Sequence, residues 1–279
     1  MSREIDYYIK RALDEDRARA DITTKSLFPS SHISSAKIVV KEKAVLCGLE
    51  IAKQVFKKLD KNIRFSSSFG DGRFVKANTV VAKIKGRTRA ILAGERTALN
   101  FLSYLSGIAT QTAQYVVKAR PLKTKILDTR KTTPTLRALE KYAVHCGGGH
   151  NHRFHLNDMV MIKDNHRQLL RDESFLTLIQ TCRKHTKRKI ELEVDTLSQF
   201  KEALKAKPGY ILLDNMNIDN LRKAVSLIKK VKGKRPLLEA SGGITLKNIR
   251  RTAQTGVDCI SVGALTHHHR GINISLEVI

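Results

Sequence analysis

The stretch KIELEVDTLSQFKEALKAKPGYILLDNM (189–216) decides the architecture. A short apolar run, KIELEVD (189–195), closes on a carboxylate. LSQFKEALKA then follows with helical spacing, and YILLDN (210–215) is a second apolar run closing on Asp214-Asn215. Strand, polar end, helix and strand make a βα unit, whose crossover leaves its strands parallel. The rhythm extends both ways. TKILDT (124–129) and MVMIKDN (159–165) lie upstream, PLLEASGG (236–243) and DCISVGA (258–264) downstream, with helical stretches such as TPTLRALEKYAV, SFLTLIQTCRKH and IDNLRKAVSLIKKV between. Roughly six strands, fewer than the eight of a complete barrel, predict an open or incomplete α/β barrel.

Residues 1 to 107 read differently. AKIVVKEKAVLCGL (36–49) is strand-like and broken near Gly48, and LEIAKQVFKKLD (49–60) has helical spacing. FGDGRFVKANTVVAKIKG (69–86) carries turn signals at Asp71-Gly72 and Ala77-Asn78 and predicts short strands. RAILAGERTALNFLSYLSG (89–107) predicts a helix that stops near Gly107, with Leu92, Leu99 and Leu102 as its buried stripe. Arg96 lies along one edge of that stripe, either as a flank charge or as a group aimed into a site. The predicted organisation is an N-terminal α/β sandwich domain (1–107), an α/β barrel catalytic domain (108–266), and a segment (267–279) returning to the first domain. His267, His268 and His269 are expected in a surface loop.

Of 279 residues, 41% are hydrophobic, as in an ordinary globular enzyme. The opening MSREIDYYIKRALDEDRARA has no apolar h-region, and no apolar run approaches the roughly 18 residues of a membrane helix. No signal peptide and no membrane partner are expected, and the cytoplasm is the expected location. Cys47, Cys146, Cys182 and Cys259 are scattered, without zinc spacing, and read as unpaired thiols. Lys and Arg number 52 against 26 Asp and Glu, a net charge of +26 that attracts anions broadly. Runs such as RKHTKRK (183–189) and KKVKGKR (229–235) read as solvated helix faces and loops. No nucleic-acid-binding fold and no basic patch interleaved with aromatics is visible, so no specific nucleic-acid partner is expected.

In α/β barrels the working groups gather at the carboxyl ends of the strands. Here those ends carry Asp128-Thr129-Arg130-Lys131, Lys163-Asp164-Asn165, Glu193-Val194-Asp195, Asp214-Asn215, Glu239-Ala240-Ser241-Gly242-Gly243 and Ser261-Val262-Gly263. The last two put glycines where late barrel loops bind phosphate through main-chain N–H groups. Glu193 and Asp214 suit a divalent metal, because Mg²⁺ takes one or two carboxylates plus water and phosphate oxygens; salt bridges to the surplus lysines are the alternative. Arg130, Lys131, Arg153 and Lys163 bring cations to the same mouth, and arginine forks match carboxylates bidentately. His145, His150, His152 and His155 match no tight metal motif.

GERTALNFLSYLSGIATQT (94–112), DTRKTTPTLRALEKYAVHCGGGHNHRFHLNDMVMIKDNH (128–166), LEVDTL (192–197), ILLDNM (211–216), EASGGI (239–244) and VDCISVGALTH (257–267) resemble the quinolinate phosphoribosyltransferase family, nearly end to end. DITTKSLFP (21–29) is similar to its N-terminal signature, with Ala20 standing where the family commonly has glycine. The resemblance implies transfer of phosphoribosyl from PRPP (phosphoribosyl pyrophosphate) to quinolinate with decarboxylation, giving nicotinate mononucleotide for NAD biosynthesis. It implies a homodimer in which Arg130, Arg153 and Lys163 hold quinolinate, His152 lines the pocket, and Arg96 reaches in from the partner subunit. Lys131, Glu193 and Asp214 would serve PRPP and Mg²⁺ as the catalytic set, and Ser241, Gly242, Gly243 and Gly263 would cradle the 5′-phosphate. A nicotinate phosphoribosyltransferase is the alternative enzyme, and a barrel that only binds phosphate the alternative outside catalysis.

Overall fold

The computed structural model describes residues 3–279. In chain order the first part comprises α1 (Arg3–Glu15), α2 (Ile22–Leu27), β1 (Ile33–Val40), β2 (Ala44–Val45), α3 (Leu49–Leu59), β3 (Arg64–Ser66), β4 (Phe74–Val75), β5 (Thr79–Arg87) and α4 (Thr88–Ala119). Then follow β6 (Lys125–Leu127), α5 (Arg137–Cys146), β7 (Val160–Ile162), α6 (Asp164–Leu169), α7 (Phe175–His185), β8 (Ile190–Val194), α8 (Leu197–Ala206) and β9 (Tyr210–Asp214). The chain ends with α9 (Ile218–Ile228), β10 (Leu237–Ser241), α10 (Ile249–Ala253), β11 (Cys259–Ser261), α11 (Ala264–His267) and β12 (Ile274–Val278). No described helix is long and apolar enough to cross a membrane.

One compact unit takes in residues 1–113, 139–148 and 269–279. Its main sheet, among the described residues, is antiparallel in the order β12-β1-β5-β3. β1 buries Ala36, Ile38 and Val40 in alternation and Val39 as well, and across from it the register shifts, leaving Val81 of β5 as the extra residue of a bulge. α3 turns Leu49, Ile51, Ala52, Val55 and Phe56 inward, as its spacing predicts. The last strand, β12, lies antiparallel to β1, with Lys37 opposite Glu277.

The second unit, residues 114–138 and 149–268, is an open sheet of parallel strands. Its order among the described residues is β6-β11-β10-β9-β8-β7. All six predicted strands form, and every residue of β8 is buried, as befits a parallel strand covered on both faces. β6 and β7 are the free edges of this incomplete barrel, and a single parallel bridge from His150 to Leu127 extends β6. Helices α7, α8 and α9 start on Ser174, Thr196 and Asn217, whose side chains accept from the N–H groups of Thr177, Gln199 and Asn220 at 3.1, 3.2 and 2.9 Å.

The helix expected to stop near Gly107 continues to Ala119. Gly107 does not end the helix; it makes room. A Cβ there would overlap the carbonyl oxygen of Arg270 and come 3.3 Å from Gly271 Cα. Glycine at this position therefore serves close backbone approach at φ values any residue adopts. Gly107→Ala is expected to destabilise the protein by about 1–3 kcal/mol through overpacking. A lowered thermal unfolding midpoint checks this; an unchanged or raised midpoint contradicts it.

Candidate active site

The carboxyl ends of the parallel strands open into a cleft of about 740 Å³. Period-two alternation decides what faces it. In β8, Ile190, Leu192 and Val194 point one way while Glu191 and Glu193 point the other, into the barrel. By the same parity Asp214 enters from β9 and Glu239 and Ser241 enter from β10. The cleft gathers Arg130, Lys131, His152, Arg153, Lys163, Glu193, Asp214, Ser241, Gly242, Gly243 and Gly263. Of the predicted site residues, Arg96 alone belongs to the other unit, where it lies exposed on α4.

The cations come from loops after the strands. Arg153 donates from Nη1 to the Met159 carbonyl at 2.9 Å, which anchors one arm of its fork. Burial lowers the pKa of Arg153, and the neighbouring charge of Arg130 lowers it further. Arg130 buries its Nε without a hydrogen-bond partner. Two guanidinium groups thus crowd one wall, one of them with an unmet donor. Such a wall requires an anion.

Glu193 and Asp214 bring acid to the cleft, with the exposed Asp195 near them but outside its lining and ion-paired to Arg167 at 2.9 Å. Glu193, Asp195 and Asp214 each offer a carboxylate oxygen, all within 4.8 Å of one another. Burial raises the pKa of Glu193, and Asp214 adds to the effect. Asn215 Nδ2 donates to Asp214 Oδ2 at 2.7 Å, orienting that carboxylate. Asn215 itself takes the left-handed conformation, φ 51°, with its N–H on the Ser241 carbonyl at 2.9 Å. Gly242, at φ 88°, packs so tightly on Asn215 that any Cβ would overlap its side-chain oxygen. The glycine turn and the acidic pair are therefore one interlocked structure.

Two carboxylates escaped the sequence analysis as site residues. Glu191 and Glu239 are 0% and 1% exposed, and they flank His152 Nε2 at 3.1 and 3.4 Å. The signal was present: Glu191 shares its strand face with Glu193, and Glu239 shares its face with Ser241. The Arg153 N–H lies 2.8 Å from His152 Nδ1, and Asp128, fully buried, accepts from the His152 N–H at 2.9 Å. The first contact favours a proton on Nε2, between the carboxylates. Burial alone would lower the His152 pKa, but Glu191 and Glu239 overcome it and raise it to about 10. Burial, with the charge of Glu239, pushes Glu191 up to about 7. His152 and Glu191 thus both keep their protons to higher pH than usual. The other three motif histidines join no metal-ligand cluster among the described residues.

The histidine run is at the surface as expected, with His267 closing α11, His268 in the loop after it, and both also lining the cleft. The cause is the tight turn after β11: a Cβ at Gly263 would stand 3.0 Å from the His267 ring and 3.2 Å from Lys131 Cδ. A larger cavity, about 890 Å³, opens at the amino ends of the strands, and His152, Arg153 and Glu239 line it too. It lacks the acidic trio and the glycine turns, so the carboxyl-end cleft is the chemically equipped one.

Residues 21–106 and 108–277 match the models of the N-terminal and C-terminal domains of quinolinate phosphoribosyl transferase. The chain belongs to the quinolinate phosphoribosyltransferase family. A Synechocystis sp. relative is 41% identical, over 99% of this chain and 92% of its own. The nicotinate-nucleotide pyrophosphorylase (carboxylating) of Mycobacterium leprae is 38% identical, over 97% of this chain and 95% of its own. The structure of the nicotinate-nucleotide pyrophosphorylase from Francisella tularensis superposes with a TM-score of 0.93 at 38% identity, covering 99% of this chain and 96% of that one.

In this quinolinate phosphoribosyltransferase family member the triad makes stability depend on pH. Both shifts are upward, so the folded protein binds more protons than the unfolded chain and loses stability as pH rises. The contribution is complete below the ordinary values of 4.5 and 6.5, and it is lost as pH passes about 7 for Glu191 and about 10 for His152. The wild-type unfolding midpoint should fall between pH 6.5 and 10 more steeply than that of Glu191→Gln/Glu239→Gln. Parallel pH profiles would contradict the assignment.

Proposed function

We propose that this chain transfers phosphoribosyl from PRPP to quinolinate with loss of CO₂, yielding nicotinate mononucleotide and pyrophosphate for NAD biosynthesis in the cytoplasm. The observation that carries the reading is the crowded guanidinium pair, Arg130 with its unmet Nε and Arg153 beside it. With Lys163 they supply forked and point charges for a flat diacid, whereas a monoacid would leave part of that charge unanswered. Arg130, Arg153 and Lys163 orient quinolinate, and His152, backed by Glu191 and Glu239, forms the floor beneath the ring. Ser241, Gly242, Gly243 and Gly263 offer main-chain N–H groups and a hydroxyl to the 5′-phosphate.

The all-oxygen donor set of Glu193, Asp195 and Asp214 fits Mg²⁺. When bound, that ion supplies positive charge to the pyrophosphate and ribose oxygens. Lys131 offsets the charge that builds on pyrophosphate as its bond to the ribose breaks, and Glu193 and Asp214 face the positive charge developing on the sugar. The pyridine nitrogen, held in line by the anchored carboxylates, forms the new bond to the anomeric carbon. With that nitrogen quaternary, the bond to the adjacent carboxylate breaks, CO₂ departs, and the ring carbon takes up a proton. No covalent bond to the protein is required. Arg96 completes the diacid clamp from the partner subunit of a homodimer, a reading supported by its exposure on α4 and by the family resemblance.

Purified protein given quinolinate, PRPP and Mg²⁺ should release CO₂ and nicotinate mononucleotide one for one. A chelator should abolish turnover, and nicotinate should not replace quinolinate; equal turnover of nicotinate would favour the alternative enzyme. Arg153→Ala should lower kcat/KM for quinolinate about a hundredfold, the weight of a charge-assisted hydrogen-bond pair, and an unchanged value would remove it from the site. Mixing inactive Arg96→Ala with inactive Arg153→Ala should restore activity, because a mixed dimer holds one intact site. Absence of rescue after verified subunit exchange would place Arg96 outside the partner's site.

A further inference from the structure

The N-terminal unit carries a cluster of reactive groups that the proposed reaction does not use. Cys47 follows β2 and directly precedes Gly48, the N-cap of α3. Cys146 is the last residue of α5, far along the chain. Their sulfurs and a carboxylate oxygen of Asp71 all lie within 4.8 Å of one another. Both thiols remain unbridged.

The pair is asymmetric. Cys47 is fully buried and held at both backbone groups: its N–H donates to Ser106 Oγ at 2.9 Å, and its carbonyl accepts from the same hydroxyl at 3.1 Å. Cys146 is half-buried and lies beside the Tyr142 hydroxyl. Hydrogen bonding from Cys47 holds the Cys146 thiol below its ordinary pKa, against the effect of burial and with help from Tyr142. Burial pushes the Cys47 thiol well above its ordinary value. A more accessible, more acidic thiol next to a buried partner is the arrangement of an attacking and a resolving cysteine.

Asp71 argues against a metal here. Its Oδ2 accepts from Gly48 N at 2.9 Å and Tyr142 OH at 2.8 Å, and its Oδ1 accepts from Leu49 N at 3.0 Å. Those contacts cap α3 and occupy most of the carboxylate, leaving the sulfurs as the groups with unspent chemistry.

We propose that Cys47 and Cys146 form a reversible oxidation site that closes to an intramolecular disulfide in the presence of a hydroperoxide. The Cys146 thiolate attacks the terminal peroxide oxygen, the O–O bond breaks, and Cys146 becomes a sulfenic acid while water or an alcohol departs. The Cys47 sulfur then attacks the Cys146 sulfur, the S–O bond breaks, and a second water carries off the Cys47 proton. Two thiols lose two electrons to one peroxide. The bridge ties the end of α5 to the start of α3 and closes a long loop, restricting the unfolded chain.

The test uses the full chain, reduced and then treated with a small excess of hydrogen peroxide. Thiol titration of the denatured protein should fall from four to two, and a non-reducing peptide map should join the Cys47 and Cys146 peptides. Dithiothreitol should restore four thiols. In Cys47→Ser the reaction should halt at the sulfenic acid, captured on Cys146 as a dimedone adduct, and Cys146→Ser should give no bridge. Four persistent thiols, oxidation confined to Cys182, or a bridge between two chains would overturn the proposal. The wild-type peptide map decides the matter even where a serine variant fails to fold.

Discussion

Like charge held against like charge is the constraint around which the barrel mouth is built. Like charges repel, so Arg130 and Arg153 stay neighbours only because the fold holds them there. The means are visible. Arg153 is tethered by the Met159 carbonyl, and its backbone is placed by the contact with His152. His152 is in turn fixed by Asp128 on one side and by Glu191 and Glu239 on the other. The carboxylates beneath the rim steady the positive charge on it.

The acidic side of the cleft and its glycine turn depend on each other in a similar way. Asn215 accepts a strained left-handed backbone, orients Asp214, and packs against Gly242. Moving the glycine turn would move the carboxylate. The surplus of basic residues gives the whole surface an attraction for small polyanions, an effect that salt screens over about 10 Å at 0.1 M. The diacid and the sugar phosphate would both be drawn by that field.

The parallel strands were legible because short apolar runs closing on polar residues repeat six times, and tertiary context reinforces that pattern. Gly107 misled, since a glycine can end a helix or merely clear space beside one, and only the approach of Arg270 distinguishes the two. Glu191 and Glu239 were overlooked because buried acids in the middle of a strand resemble ordinary alternation until the inner face is known. His267 and His268 line the cleft through the turn at Gly263, whose packing beside Lys131, far along the chain, local spacing does not show.

The pairing of β12 with β1 bears on how this chain is made. Residues 274–278 are synthesised after every strand of the parallel barrel, so the N-terminal sheet waits for its edge strand until then. The parallel barrel, whose final strand ends at Ser261, has all its strands earlier. The sheet holding β1 is therefore completed after the barrel, and loss of β12 would leave β1 with a bare edge open to pairing with another molecule.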